Sequence, residues 1–324
     1  MMTKIIDCTI REGGHLRGWN FDDSCVVDSY NASLSAGVDY FEIGYRCSSP
    51  KKEWGKYARC EDDFISDLLK VDDRCKLSIM IDAGKCSADE FKKCSPISLV
   101  RISAYPDKLD IGMKLCEDIK EKGYSVILNL MALSEYKDQD FNKIANWENK
   151  NILDSICFAD SFGSFLPEDI NYFGKKLKEI GFENVSLHAH NNLQLAFANS
   201  LEGINNNFYS IDASIYGMGR GAGILPLELI IGHLNKSGLK KYNPTNLLEV
   251  LKKYYLKFKN ETPWGYGIAP LVGGLKGIHP YYARELVDMN LDIKKVYEIA
   301  DELKKSESVS YDINNIENIL SHKN

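Results

Sequence analysis

The sequence predicts an α/β protein that folds as a (β/α)₈ TIM barrel with a C-terminal helical extension. The chain has 324 residues, and eight short apolar, β-rich runs recur along it with helical patterns in the intervals. The centres of these runs lie about 29 residues apart, the length of one strand and its crossover helix. The runs are Lys4–Cys8, Asp39–Gly44, Lys76–Asp82, Ser98–Ser103, Tyr124–Met131, Asp154–Asp160, Asn184–His190 and Tyr209–Tyr216. An open doubly wound sheet is the competing architecture, but the first run is followed by Arg11-Glu12-Gly13-Gly14-His15 where that fold usually has Gly-x-Gly-x-x-Gly.

The helical patterns have recognisable beginnings and ends. Apolar residues with a period near 3.6 precede Gly37, a residue that commonly closes a helix. Ser87–Glu90 has the sequence of a capping box, so we expect a helix to begin there. An amphipathic helix is predicted from Leu109 to Lys122, and Pro167 suits the first turn of another.

The strand rhythm stops at Ser237, which divides the chain into a barrel over 1–236 and a helical extension over 237–324. The extension is predicted to begin with a helix after Asn243 and to continue through a Gly/Pro-rich stretch. That stretch spans Thr262 to Gly277, and helices are expected near Tyr281–Met289, Ile293–Lys304 and Asp312–Leu320. We expect the extension to cover the barrel mouth, to mediate oligomerisation, or both, and a homo-oligomer is expected on general grounds.

Composition excludes several classes of function. With 44% hydrophobic and 27% charged residues the chain can bury a sizeable core. Its net charge of −6 disfavours nucleic acid and anionic membranes as partners, since both need a concentrated basic face. The nine cysteines are scattered without a Cys-x-x-Cys pair, which indicates reduced thiols. There is no apolar run of about 18 residues, and Met1–Asp7 is too polar for a secretory signal, so we expect a cytoplasmic protein.

Two histidines at the end of the seventh run form the first candidate site. Side chains alternate along a strand, so His188 and His190 point to the same face, into the barrel mouth where reacting groups of such barrels gather. Two imidazoles so placed can bind one metal ion. Hydrogen-bonded interior histidines are the alternative.

The end of the first run supplies the complementary groups. Glu12 could complete a two-histidine, one-carboxylate metal site with open positions for substrate. Arg11 would place a fixed positive charge beside the metal, where an enolate oxygen develops. His15 is a candidate general base because of its intrinsic pKa. The alternatives are a loop salt bridge between Arg11 and Glu12 and a surface position for His15.

Other polar residues lie at strand ends of the predicted barrel. Glu42 must be paired inside a barrel, and Arg11 is the expected partner. Arg101, Asn129 and Ser161, which follows Asp160, each suit a structural hydrogen bond as well as a functional role; they are on the fourth, fifth and sixth runs. The glycine-rich loop 217–223, which contains Arg220, is expected to cradle a phosphate or carboxylate.

Four motifs in order together resemble the DRE-TIM metallolyase superfamily, over roughly residues 3–235. They are Asp7–Gly13, Phe41–Gly44, His188–Asn191 and Gly217–Gly223. The group includes 4-hydroxy-2-oxovalerate aldolases, hydroxymethylglutaryl-CoA lyases, and isopropylmalate and homocitrate synthases. The resemblance implies that Glu12, His188 and His190 bind a divalent metal, Mn²⁺ or Mg²⁺ in first place and Co²⁺ or Zn²⁺ as alternatives. It also implies that Arg11 stabilises an enolate and that Glu42 is the family's second-strand acid.

Within that superfamily, two residues favour the aldolase branch. His15 matches the base of the hydroxy-oxovalerate aldolases, and Ser161 matches the serine that holds the carboxylate of pyruvate. Asn129 and Arg220 complete the predicted substrate-binding residues. Ile224 stands where many members have an asparagine ligand. A tyrosine of His279–Tyr282 is expected near the mouth, without a choice between the two.

We therefore predict a metal-dependent aldolase that cleaves or forms a 4-hydroxy-2-oxo acid through a pyruvate enolate. Its partners would be a small 2-oxo acid and an aldehyde, and an acylating aldehyde dehydrogenase could receive that aldehyde. An acyl-CoA-dependent Claisen synthase or lyase, like homocitrate synthase or hydroxymethylglutaryl-CoA lyase, is the first alternative. A catalytically silent barrel is the second.

Overall fold

The computed structural model describes residues 2–92, 95–306 and 311–322. Eight parallel strands form a closed barrel in chain order, and the last strand pairs with the first. This confirms the predicted TIM barrel. The strands are β1 Lys4–Asp7, β2 Tyr40–Tyr45, β3 Lys76–Asp82, β4 Ile97–Ala104, β5 Ser125–Leu130, β6 Ser155–Asp160, β7 Val185–Ala189 and β8 Ser210–Ala213.

Helices surround the barrel and then form the extension. Around the barrel are α1 Thr9–Arg17, α2 Asp23–Ala36, α3 Asp62–Leu68, α4 Leu109–Glu121, α5 Asp138–Ala145, α6 Pro167–Glu179, α7 Ala196–Asn205 and α8 Leu227–Lys236. In the extension are α9 Thr245–Val250, α10 Leu256–Glu261, α11 Ile268–Lys276, α12 Pro280–Asp288, α13 Ile293–Lys305 and α14 Ile313–His322. One π-helical turn, Leu251–Tyr255, joins α9 to α10. Gly37 closes α2 in the left-handed conformation at φ 81°, as predicted.

The segment after β1 forms a helix that was not predicted. Arg11, Glu12 and His15, for which a loop position was only the alternative, lie on α1, which Gly18 ends at φ 58°. The helix contains Gly13 and Gly14, which normally weaken one. Contacts explain their presence: a Cβ on Gly14 would lie 2.1 Å from the Trp19 indole nitrogen, and one on Gly13 would lie 2.7 Å from the Met218 sulfur.

Two further differences concern short segments. Ser87 forms the predicted capping box, but only a 3₁₀ turn follows, because Phe91 turns into an extended conformation and is buried. The Gly/Pro-rich stretch contains α11, in which Pro270 lies in the first turn, where its missing N–H is tolerated.

The extension covers the barrel mouth, one of the two roles expected of it. The amide of Gly265 donates to the carbonyl of Gly221 at 3.2 Å, and Lys304 on α13 pairs with Glu135 after β5. Residues from Tyr242 to Trp264 share the apolar core of the barrel, whereas α11 to α14 enclose a second apolar cluster. The division at residue 236 stays a prediction.

Eight of the nine cysteines belong to the described residues, and all eight are free thiols. Among the described residues, none of the helices combines the length and apolar character that a membrane crossing requires.

Candidate active site

Glu12, His188 and His190 converge at the carboxyl ends of the strands. Their ligand atoms all lie within 4.8 Å of one another, and all three side chains are buried. Glu12 comes from the first turn of α1, and His188 from β7. The two imidazole rings are 5.2 Å apart between centroids and nearly perpendicular. The sequence therefore predicted the three residues that meet here.

Asp212 fixes the orientation of His188. Its Oδ2 lies 2.8 Å from His188 Nδ1, so this nitrogen carries the proton and donates it. His188 Nε2 is then free and lies 3.8 Å from Oε2 of Glu12. A carboxylate behind the imidazole is the usual arrangement behind a metal-binding histidine. Asp212 was not among the predicted site residues, although an acid between the apolar Ile211 and Ala213 on a strand was the available signal.

A buried arginine links the two halves of the site. Arg101 on β4 donates to Oε1 of Glu42 at 3.1 Å and to Oδ2 of Asp212. The other oxygen of Glu42 accepts from Arg11 Nε at 2.7 Å, which is the pairing expected for Glu42. Arg11 Nη1 in turn donates to Glu12. A continuous chain of charged hydrogen bonds thus crosses the barrel interior from Glu12 to His188, away from water, where such bonds are strong.

The protonation states of the cluster suit a cation. Burial raises the pKa of Glu12, but Arg11 and Arg220 outweigh it and hold that pKa well below the usual range. Burial lowers the pKa of His190 to about 3, so its ring is neutral at neutral pH. Oε1 of Glu12 and Nδ1 of His190 are buried without a hydrogen-bond partner. An ionised carboxylate and a neutral imidazole, each with an unpaired atom, fit a divalent metal.

His15 lies beside this cluster in an aromatic setting. Its ring packs edge-on against Trp19 at 4.8 Å and Tyr45 at 5.6 Å between centroids. Burial, with Arg220, lowers the pKa of His15 well below its usual value. Its Nε2 is buried without a hydrogen-bond partner. The neutral ring can therefore accept a proton from a substrate.

Of the two tyrosines in His279–Tyr282, Tyr281 is the one that reaches the mouth. It lines a cavity of about 540 Å³ together with His15 and Arg220. The hydroxyl of Tyr282 instead accepts from the backbone N–H of Asp312 at 2.9 Å, inside the extension. The structure thus distinguishes two residues that the sequence left equal.

The glycine-rich loop packs directly on the metal-ligand candidate Glu12. A Cβ on Gly219 would lie 2.8 Å from Cγ of Glu12, so glycine is needed for this approach. Arg220 Nε lies 3.6 Å from Oε1 of Glu12. Asn192 braces the loop, since its Oδ1 accepts from the N–H of Ala222 at 3.0 Å. The loop was expected to bind an anion, and the structure shows that it packs against Glu12.

The remaining predicted residues line the interior and the rim. Ser161 follows β6, and its hydroxyl accepts from the N–H of Ala132 at 2.8 Å. Asn129 is buried on β5 with its Oδ1 unpaired. Ile224 is fully buried in an apolar cluster with residues such as Cys8 and Ile127. It offers no ligand atom, so three side chains make up this donor set.

The closed barrel and this acid–imidazole cluster at its mouth define the class of protein. It is a TIM barrel of the DRE-TIM metallolyase type. The chain belongs to the HMGL-like family, whose model matches residues 2–253. The predicted superfamily is thus confirmed.

Known proteins are similar over most of the chain. A 4-hydroxy-2-oxovalerate aldolase from Geobacillus genomosp. 3 is 28% identical over 242 residues, which are 73% of this chain and 72% of that one. An oxaloacetate decarboxylase from Mycobacterium tuberculosis is 24% identical over 270 residues, 82% and 79% of the two chains. The crystal structure of the N-terminal domain of a candidate aldolase from Bacteroides vulgatus superimposes with a TM-score of 0.81 at 27% identity, covering 88% of this chain and 96% of that domain. The family and these names indicate an enzyme of the lyase or aldolase type.

Proposed function

We propose that this chain is a divalent-metal-dependent aldolase that cleaves or forms a 4-hydroxy-2-oxo acid, with pyruvate as one product. One observation carries the proposal. The donor cluster of Glu12, His188 and His190 has Arg11 on its acid and His15 beside it, all at one barrel mouth. The similarity to 4-hydroxy-2-oxovalerate aldolases supports it.

Glu12, His188 and His190 would hold the metal. Nitrogen and carboxylate donors accept Mn²⁺, Mg²⁺, Co²⁺ and Zn²⁺, of which we propose Mn²⁺ or Mg²⁺. When bound, the ion supplies Lewis-acid polarisation of the substrate's keto oxygen. With Ile224 in place of a fourth side-chain ligand, three protein donors leave room for substrate.

Arg11 binds the charge that develops on the 2-oxo acid. Its Nε and Nη1 are held by Glu42 and Glu12, while its Nη2 is buried without a partner. That N–H group is therefore free for a substrate oxygen and is fixed in advance, which is how such donors stabilise a transition state. We assign the substrate carboxylate to Ser161, with Asn129 and Arg220 as further polar contacts.

His15 moves the proton. In the cleavage direction its neutral ring accepts the proton of the C4 hydroxyl, and the C3–C4 bond breaks. The bonding electrons pass to the pyruvate fragment, which becomes an enolate, and the C4 oxygen becomes the carbonyl of the departing aldehyde. Protonation of C3 then gives pyruvate. A base of this kind contributes about 10²–10⁴-fold to rate.

The test is proton exchange at the pyruvate methyl group. Protein, pyruvate and Mn²⁺ or Mg²⁺ are mixed in D₂O and the methyl signal is followed by NMR. Metal-dependent loss of that signal is expected, with no loss after metal removal. A methyl signal that persists with metal present would overturn the proposal.

Two parallel reactions separate the aldolase from its neighbours. Oxaloacetate is offered because one relative is named for its decarboxylation. Faster release of CO₂ than aldol cleavage would assign the chain to that activity instead. Thiol release from acetyl-CoA with a 2-oxo acid would assign it to the Claisen synthases.

The assembly and location of the protein stay proposals. We propose a homo-oligomer in the cytoplasm, checked by light scattering and fractionation. We also propose an aldehyde dehydrogenase as a receiving partner, checked by co-purification.

A further inference from the structure

We propose that the aldehyde partner is a large molecule that ends in an anionic group, a carboxylate or a phosphate, and that the extension binds it above His15. This inference rests on the proposed aldolase function. It concerns the cavity that contains His15 and Arg220 at one side and residues of the extension at the other.

The cavity is too large for a short aldehyde. Its volume of about 540 Å³ falls in the range of roughly 300–1,000 Å³ that is typical of sites for drug-sized ligands. Acetaldehyde would leave most of it to water. Because His15 lines the cavity, the part of the aldehyde beyond its reacting carbon extends into this space.

The charges that line the cavity favour an anion. Arg220, Arg284 and Glu261 are its charged lining residues, and His15 is neutral. Glu261 is already paired with Arg17 at 2.9 Å. Arg220 lies beside Glu12 at 3.6 Å. Arg284 is therefore the lining charge that is most available to an anion.

The two arginines differ in what they offer. Arg220 Nε is buried beside Oε1 of Glu12 at 3.6 Å, so Arg220 contributes positive charge to the inner end of the cavity. Arg284 is paired with Asp288 at 3.5 Å, but the two side chains are 70% and 63% exposed. Pairs of this kind hold their partners weakly. A guanidinium binds a carboxylate or phosphate through two parallel hydrogen bonds, so an anionic terminus is the group that Arg284 recognises best.

Residues 261–284 of the extension form one wall of the cavity, and this wall is held against the barrel. Trp264 is buried, and its indole N–H donates to the carbonyl of Tyr216 at 3.0 Å. The adjacent Gly265 is bonded to the loop after β8. Trp264, Tyr266 and Tyr281 then present aromatic surface and hydroxyl groups to a ligand. Because this wall is formed before the ligand binds, fewer side chains lose conformational entropy on binding.

This wall lies outside the part of the chain that defines the family. The family model ends at residue 253, whereas the wall is built from residues 261–284. The pyruvate half of the reaction thus uses residues of the family region, and the choice of aldehyde belongs to the extension of this particular chain.

The test compares matched aldehydes in condensation with pyruvate and Mn²⁺. Butanal is paired with succinic semialdehyde, and erythrose with erythrose 4-phosphate, so that each pair isolates one anionic group. We expect kcat/KM to be at least about ten-fold higher for one charged member than for its neutral partner. The pair that shows it identifies carboxylate or phosphate.

Variants locate the effect. Arg284→Ala is expected to lower the charged-to-neutral ratio about ten-fold, mainly through KM, and Arg284→Lys to restore part of it. Arg59→Ala is the control, because Arg59 is an exposed arginine in a similarly weak pair, with Glu61 at 3.6 Å, outside the cavity. A ratio that is the same in Arg284→Ala and Arg59→Ala would overturn the assignment of Arg284.

The two proposals fail in different ways. Absence of proton exchange at the pyruvate methyl group would overturn the aldolase proposal. If exchange occurs but acetaldehyde reacts as well as either charged aldehyde, only this inference is overturned. Binding without turnover gives an independent readout. Erythritol 4-phosphate should bind about ten-fold more tightly than erythritol by calorimetry, and equal binding, with butyrate no tighter than butanol, would overturn the inference.

Discussion

Replacing Asp212 by asparagine tests whether the donor cluster is a metal site. Asp212 accepts hydrogen bonds from both His188 and Arg101. Both donors reach the same oxygen, Oδ2, while Oδ1 is buried without a partner. An amide keeps one oxygen for these donors but carries no negative charge. The change therefore weakens the hold on the N–H of His188 without removing any proposed metal ligand.

The expected magnitude follows from these contacts. Loss of a carboxylate behind a metal-bound histidine typically weakens metal binding about 10–100-fold, or about 1.4–2.7 kcal/mol. The metal-free protein should also lose stability, because Arg101 is fully buried and would keep only Glu42 as an ionic partner. Breaking such a buried pair costs about 3–5 kcal/mol, and the remaining amide oxygen places Asp212→Asn near the lower value.

Calorimetric titration of Mn²⁺ into metal-free protein measures the first effect, and urea unfolding measures the second. Asp160→Asn is the matched control. Asp160 is a buried carboxylate at the end of β6 that accepts from the N–H groups of Ser164 at 2.8 Å and Phe165 at 3.1 Å. Its Mn²⁺ affinity should stay within about two-fold of the parent. An unchanged Mn²⁺ affinity in folded Asp212→Asn, or equal weakening in Asp160→Asn, would refute the reasoning.

Three further predictions use the same site. His15→Gln should lower aldol cleavage about 10²–10⁴-fold while Mn²⁺ affinity by calorimetry is retained; equal cleavage rates would remove His15 as the base. Gly219→Ala should weaken Mn²⁺ binding because its Cβ would lie 2.8 Å from Cγ of Glu12, whereas Gly232→Ala, on α8 with no atom closer than 4.0 Å, should leave it unchanged. For pH, burial lowers the pKa of His190 from 6.5 to about 3. Its contribution to the unfolding free energy of the metal-free protein is therefore complete above pH 6.5 and is lost as the pH falls toward 3. Urea unfolding at several pH values should therefore show that the unfolding free energy of His190→Gln falls less steeply with decreasing pH.

The sequence predicted the barrel because short, apolar, β-rich runs alternate eight times with helical patterns, the rhythm of consecutive strand–helix units. It placed His188 and His190 correctly because alternation along β7 is fixed by strand geometry. It did not predict the helix that carries Arg11 and Glu12, because two adjacent glycines weaken a helix locally. Glycine is required there by contacts with Trp19 and Met218, which a local sequence pattern does not reveal.

Asp212 could have been found by topology instead of local pattern. In a closed barrel β8 lies between β7 and β1. An inward-facing acid on β8 must then lie between the residues that β7 and the end of β1 contribute. The role of Arg101 was harder to predict, since its partners Glu42 and Asp212 come from strands far apart in the chain.

The charge balance at the barrel mouth links the binding of the proposed metal ion to that of the proposed 2-oxo acid. Arg11 and Arg220 both lie against Glu12, so a cation that binds Glu12 meets two fixed positive charges. Those charges weaken cation binding when the site holds nothing else, because like charges at short range repel strongly away from water. An anionic 2-oxo acid supplies the missing negative charge and takes up the free N–H group of Arg11. We infer that the mouth is electrostatically matched to a metal ion and an anionic substrate together, and that each tightens the binding of the other by the same factor.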